Sequence, residues 1–247
     1  MLEKIVRLTD GQKIWVSGEI LDWSAHVDNT QLGISDWKGH YEPWQHANET
    51  LKRTQTTEQD LASAIFQLRR AVEFRENALR LFYGLDQIPG TTKNTVLTDL
   101  QIVQPIMRHE LRRLRNMVAH EYGAALPEVS RCREFAEFTF YFLRSTDRLL
   151  DSPVGGLSFD GPENAGSFLM NIKPGTWIMS IEGELDRRLV SELPDHKAME
   201  VTIWRANIYK DKVYFEHNGL GGDASLCTMH GEMKTALIKL YFEKGFS

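Results

Sequence analysis

Apolar positions recur along this chain with two different periods, and the change of period divides it. From residue 57, Leu61, Ala64, Ile65, Leu68, Val72, Leu79 and Phe82 keep the spacing of one helical face. Thr57 and Asp60 stand where an N-terminal capping box belongs, and Gly84 where a helix stops, so the pattern predicts a first long helix over 57–84. Residues 86–94, with Pro89 and Gly90, read as a loop. A second stripe, Val103, Met107, Leu111, Leu114 and Val118, predicts a helix that runs to Tyr122. Pro105 belongs at its first turn or at a kink, which makes 97–103 a separate short helix. Pro127 opens a third helix, whose apolar side is Cys132, Phe135, Ala136, Thr139, Phe142, Leu143, Leu149 and Leu150, ending near Asp151. At 153–156, Pro-Val-Gly-Gly, the period falls to two. Residues 167–173, 176–185, 199–209 and 212–219 are rich in β-branched and aromatic side chains and read as strands, before a last amphipathic helix over 232–243.

The first fifty residues are less regular. Residues 13–23 hold short β-favouring runs on either side of Gly18 and read as a hairpin; a loop rich in Gly, His and Trp follows, with Trp37, Gly39, His40, Tyr41, Pro43, Trp44 and His46. The fold class expected is therefore α+β. A β/loop segment over 1–50 precedes an antiparallel helical bundle over 51–151, and a β-rich α+β domain over 152–247 follows.

Charge changes this picture in one place. The net charge of −5 argues against a general nucleic-acid coat. Residues 57–151 are neutral, with 13 Lys/Arg and 13 Asp/Glu, yet 108–115 hold four arginines and one glutamate. Any phosphate recognition is thus focused on the second helix. The plainer alternative is a solvated arginine face. Cys132 and Cys227, the only two cysteines, imply a reducing compartment and no disulfide framework. With no apolar leader and no run of about 18 apolar residues, the expected location is cytoplasmic, with no membrane partner. His26, His40 and His46 match no zinc spacing, and no cysteine joins them, so neither a metal nor a cofactor is expected. His217 and His230 read as loop or core residues. The Gly-Leu-Gly-Gly run at 219–222 lacks the Lys and Ser/Thr of a phosphate loop.

The second helix carries more polar chemistry than a solvated face needs: Arg112, Arg113, Arg115, Asn116, His120, Glu121 and Tyr122. At about 100° per residue, Arg112, Asn116 and His120 climb one face, whereas Arg115 and His120 lie roughly 140° apart. For both to act on one substrate, either the last turn loosens at Gly123 or a two-fold pairs the His of one chain with the Arg of another. RNA carries its own nucleophile, the 2′-hydroxyl. Cleaving it requires a base of near-neutral pKa, a proton for the leaving 5′-oxygen and positive charge on the phosphoryl oxygens. Histidine suits the proton transfer and the arginine fork suits the phosphoryl group. Against this stand a His120 that caps the helix end and an Arg115 that pairs with Glu110 or Glu121.

The string Arg115-Asn116-x3-His120 resembles the signature of HEPN domains, an arginine and a polar residue followed by a histidine four to six positions on. The further His120-x-Tyr122 is similar to HEPN toxins that pair with a minimal nucleotidyltransferase antitoxin, which adenylylates the corresponding tyrosine. The resemblance covers about residues 57–151. It implies an HEPN-like bundle and a homodimer in which both motifs line one cleft. It also implies a metal-independent endoribonuclease, a toxin or defence effector, that leaves a 2′,3′-cyclic phosphate. Arg115, His120 and Asn116 would be catalytic, and Arg112, Glu121 and Tyr122 would contact the RNA, with Tyr122 also a site of modification. The alternative is a non-catalytic HEPN-like module that binds RNA or a nucleotide, or simply dimerises.

Overall fold

Thr57 and Gly84 bracket the longest helix by local chemistry alone. The Asp60 N–H donates to Thr57 Oγ1 (3.2 Å) and the Thr57 N–H donates to Asp60 Oδ2 (3.0 Å), so two otherwise orphaned donors are satisfied at once. At the other end Gly84 takes the left-handed conformation, φ 58°, and its N–H caps the last turn. These features belong to a computed structural model that describes residues 6–31, 33, 39–88, 95–100, 102, 103, 109, 110, 113, 116, 126–194, 197–216, 224–229 and 231–246.

The chain forms two compact units. The first is made of 1–31, 88–90 and 153–247, and the second of 32–87 and 91–152. In the second unit lie α1 (Tyr41–Leu51), α2 (Glu58–Tyr83), the short α3 (Val96–Asp99) and α4 (Val129–Asp151). Helices α1, α2 and α4 share a core of Ala47, Leu51, Leu61, Ala64, Ile65, Leu68, Cys132, Phe135 and Ala136. Each large apolar side chain buried there contributes about 1.5–3 kcal/mol. Trp44 closes its edge: the indole N–H donates to the Ala136 carbonyl (2.8 Å) and the ring packs 4.8 Å from Phe140.

A charged cluster joins the same three helices. Arg75 is fully buried. Its Nη1 donates to the Leu143 carbonyl, Thr146 Oγ1 and Asp147 Oδ1, all at 3.0 Å, and its Nε donates to His40 Nδ1 (3.2 Å). Tyr41 donates its hydroxyl proton to Asp147 Oδ2 (2.8 Å). Burial, and next the hydrogen bond to Asp147, pushes the Tyr41 pKa up to about 12.

The first unit holds one antiparallel sheet of eleven strands among the described residues. They are β1 (Val6–Arg7), β2 (Lys13–Ser17), β3 (Ser24–Thr30), β4 (Val154–Asp160), β5 (Gly166–Lys173), β6 (Ile178–Asp186), β7 (Val190–Ser191), β8 (Ala198–Thr202), β9 (Ala206–Tyr209), β10 (Lys212–Phe215) and β11 (Ser225–Thr228). The path runs β1-β9-β10-β6-β11-β8-β2-β7, while β3-β4-β5 joins at the other edge of β6. Strand β6 is the branch point. Its first half pairs with β11, and its second half, from Gly183, pairs with β10. Helix α5 (Gly231–Phe246) covers one face with Leu237, Ile238, Tyr241 and Phe242, and Tyr241 donates to the Val154 carbonyl (2.9 Å).

This architecture corrects the expected one. An HEPN-like bundle followed by a β-rich domain, with 1–50 as a separate segment, is not what forms. Residues 13–23 are not a hairpin: β2 pairs with β8 and β7, a 3-10 turn over Gly18–Asp22 intervenes, and β3 pairs with β4. The helical stretch therefore interrupts a single sheet whose strands come from both sides of it. The physical reason is burial. A lone hairpin is marginal in water, and Ile14, Val16 and Ala25 become buried only as part of this larger sheet. The expected Gly/His/Trp loop is also replaced in part, by α1, in which Pro43 sits in the first turn where its missing N–H costs nothing.

Removing the Asp147 carboxylate leaves Arg75 buried without its counter-charge, so Asp147→Ala is expected to cost about 3 kcal/mol or more in urea unfolding. Arg75→Met, which removes the buried charge itself, costs less; the reverse order contradicts this reading. Tyr41 gives a pH dependence of known sign. Its folded pKa lies above the ordinary tyrosine value of 10.0, so its share of stability is complete below pH 10.0 and declines as pH rises toward about 12. Tyr41→Phe should remove that decline, as followed by thermal unfolding across the range. Gly183 has φ +120°, and a Cβ there would lie 2.6 Å from the Ser167 carbonyl oxygen. Gly183→Ala should therefore lower stability by more than about 1 kcal/mol, measured by the same unfolding curves.

Candidate functional site

The motif segment enters the described structure through four residues. His109, Glu110, Arg113 and Asn116 are all helical. Glu110 lies largely covered, its side chain 13% exposed, and Arg131 from the first turn of α4 donates to its Oε2. Arg131 also pairs with Glu134 and lies over the Phe135 ring, 4.7 Å from its centroid. Arg113 takes the other Glu110 oxygen at 3.4 Å. The carboxylate one turn before the motif is thus already engaged by two guanidiniums. Asn116, the predicted orienting amide, is exposed. Arg112, Arg115, His120, Glu121 and Tyr122 lie outside the described residues.

Other sequence candidates are placed apart. His26 shares a hydrogen bond with Ser24 Oγ (3.0 Å), and His40 Nδ1 receives the Arg75 Nε–H. Among the described residues no group of three or more His, Cys, Asp or Glu side chains is arranged to hold a metal. No helix among them is long and apolar enough to cross a membrane. Burial pushes both cysteine thiols, Cys132 and Cys227, above their ordinary pKa, which keeps them protonated and unreactive.

Sequence reasoning missed a second constellation, on the outer face of the sheet. Strand register sets five side chains in one row: Ser167 opposite Glu184, Glu184 opposite Tyr214, Tyr214 opposite Asn207, and Asn207 opposite Arg7. Their strand neighbours Ala206, Val213, Leu185 and Phe168 are buried in the core, as period two requires. Beside the row, Ser167, Gly183, Glu184, Asn207, Tyr209, Tyr214, Phe215 and Glu216 line an open hollow of about 810 Å³. A smaller one of about 200 Å³ adjoins it, between Arg7, Arg205, Asn207 and Glu216.

Polar partners order this face. Asn207 Nδ2 donates to Glu216 Oε1 (2.6 Å), and Lys212 Nζ donates to Glu184 Oε1 (3.1 Å). Arg188 holds Asp186 through both carboxylate oxygens, and that hydrogen bonding draws the Asp186 pKa down to about 2. Arg205 lies 4.6 Å over the Trp204 ring. The sequence shows the alternation Asn207/Tyr209 and Lys212/Tyr214/Glu216 but not which strands lie side by side, so the row exists only once register is fixed.

Comparison of the chain with models of known families, with curated proteins and with solved structures finds no match in any of the three.

Proposed function

We propose that the chain is a metal-independent endoribonuclease acting through Arg115 and His120. The observation that carries this reading is the string Arg115-Asn116-x3-His120 in a segment that is helical at Asn116, with Asn116 exposed. The engagement of Glu110 by Arg131 and Arg113 supports it, because the simplest structural partner for Arg115 is already occupied. The proposal rests on this chemistry and on the motif's resemblance to HEPN nucleases, not on a shared architecture.

In the proposed reaction His120 takes the proton of the RNA 2′-hydroxyl as that oxygen bonds to phosphorus. The P–O5′ bond breaks, the 5′-oxygen takes up a proton from water, and a 2′,3′-cyclic phosphate remains. Arg115 holds two phosphoryl oxygens and stabilises the charge that develops on them. Asn116 orients the imidazole or the substrate, and Arg112, Glu121 and Tyr122 contact the RNA. A homodimer brings two motifs to one cleft. A toxin or defence role follows, with Tyr122 as the residue that a nucleotidyltransferase-type antitoxin would modify.

Purified protein should cleave RNA in the presence of EDTA and leave a cyclic phosphate end. His120→Ala should lower the rate by about 10²–10⁴-fold. Arg115→Ala should lower it by about 10²–10³-fold, as for loss of a transition-state donor. Arg70→Ala, on an exposed part of α2, should leave it unchanged. Equal rates for the Arg115 and Arg70 variants, or activity that returns only with added Mg²⁺ or Mn²⁺, would leave a binding or dimerisation module as the better account.

A further inference from the structure

We propose that the outer face of β6, β9 and β10, with Arg7 of β1, is a binding site for a nucleoside monophosphate. These strands belong to the first unit, and the proposal does not depend on the nuclease reading.

The first observation is the pairing of charge. Among the charged side chains of this face, Lys212 is neutralised by Glu184 and Arg188 by Asp186. Arg7 and Arg205 are both exposed, and among the described residues neither forms an ion pair. They converge on the smaller hollow, where Glu216 is the one carboxylate in the lining, so this end of the face sets two guanidiniums against a single acid and carries a net positive charge. Two planar forks at one point match the oxygens of a phosphate better than any neutral ligand.

The second observation is what lies beside them. Tyr209 and Tyr214 line the larger hollow; Lys210 Nζ lies over one face of the Tyr209 ring, 5.4 Å from its centroid, and the Tyr214 ring and the other face of Tyr209 are where a base can stack. Neighbouring strands lie about 4.8 Å apart, which puts Tyr214, two strands from Arg7, about 10 Å away at Cα. Side chains reaching inward from both ends can then meet the base and the phosphate of one nucleotide. Between them stand the Asn207 amide and the Glu216 carboxylate, held together at 2.6 Å, a donor and acceptor pair for a base edge or ribose hydroxyls. The hollow's volume of about 810 Å³ is that of a small-molecule site.

The third observation limits the ligand to a single phosphate. Glu216 stands in the smaller hollow beside the two arginines and Glu184 lines the larger one, so a further phosphate of a polynucleotide laid along the row would meet a carboxylate. The same arginines distinguish the site from one for neutral sugars, which give a guanidinium pair no counter-charge.

Calorimetric titration of the full chain tests this with AMP and UMP as probes, beside adenosine, uridine and inorganic phosphate. The monophosphates should saturate one site per chain, with the nucleosides and inorganic phosphate at least about tenfold weaker, since each supplies only half of the contacts. The double variant Arg7→Gln/Arg205→Gln should weaken AMP by about tenfold or more and leave adenosine unchanged. Tyr214→Ala should weaken AMP and adenosine alike, and Tyr214→Phe, which keeps the ring, should restore both. Circular dichroism and unfolding curves of each variant show that the fold is intact. AMP that binds no more tightly than inorganic phosphate, or that is indifferent to both arginines, overturns the proposal. His120→Ala should bind AMP as the parent protein does, which separates this outcome from the fate of the nuclease reading.

Discussion

The pairing of Lys13–Ser17 with Ala198–Thr202 is the constraint on which the rest of the arrangement depends. Ile14 lies opposite Val201 and Val16 opposite Met199, and all four are at most 1% exposed. A slip of one residue would turn Ile14 and Val16 out to water and bring polar neighbours in, so this register admits no neighbouring alternative. Once it is fixed, β1 and β3 fall into place on β9 and β4, and the 123 residues between β3 and β4 become an insertion into a sheet.

The helical unit has a different organising device. Its apolar core is mostly Ala, Leu and Ile around Phe135, contacts that carry little direction of their own. Arg75 is specific: a buried guanidinium demands donors' partners in fixed directions, and here they come from His40 ahead of α1 and from Leu143, Thr146 and Asp147 on α4. Burying this charge costs free energy that the ion pair with Asp147 and the added hydrogen bonds offset only in one arrangement. The Glu110–Arg131 pair ties the motif segment to the start of α4 in the same unit.

What the sequence disclosed depended on how local the cause was. Thr57, Asp60 and Gly84 act within a few residues of one another, and the helix they delimit could be read directly. Tyr41–Leu51 could not, because its aromatic and histidine content resembles a loop; Trp44 finds its reason on α4, at Ala136 and Phe140. The strand segments of the second half were visible as alternation, but their partners were not, since Val16 meets Met199 across most of the chain. Candidate chemistry divided in the same way. Arg115, Asn116 and His120 stand out because one helix segment carries them. Arg7, Asn207 and Tyr214 become neighbours only through two strand pairings that nothing local encodes.

The interrupted sheet also dictates an order of events on the ribosome. Strands β1 to β3 emerge first, and their partners β4, β8 and β9 begin at Val154, Ala198 and Ala206. At about 5–20 residues per second, the wait between Thr30 and Val154 is about 6–25 s, and that for β2 is longer. During that interval Ile14, Trp15, Val16 and Val27 are exposed on unpaired strand edges, the kind of surface that recruits chaperones or like chains. The helical unit, built from nearer contacts, has time to form while they wait. Nascent chains stalled shortly before residue 198 would therefore carry a finished helical unit beside a sheet that cannot yet close.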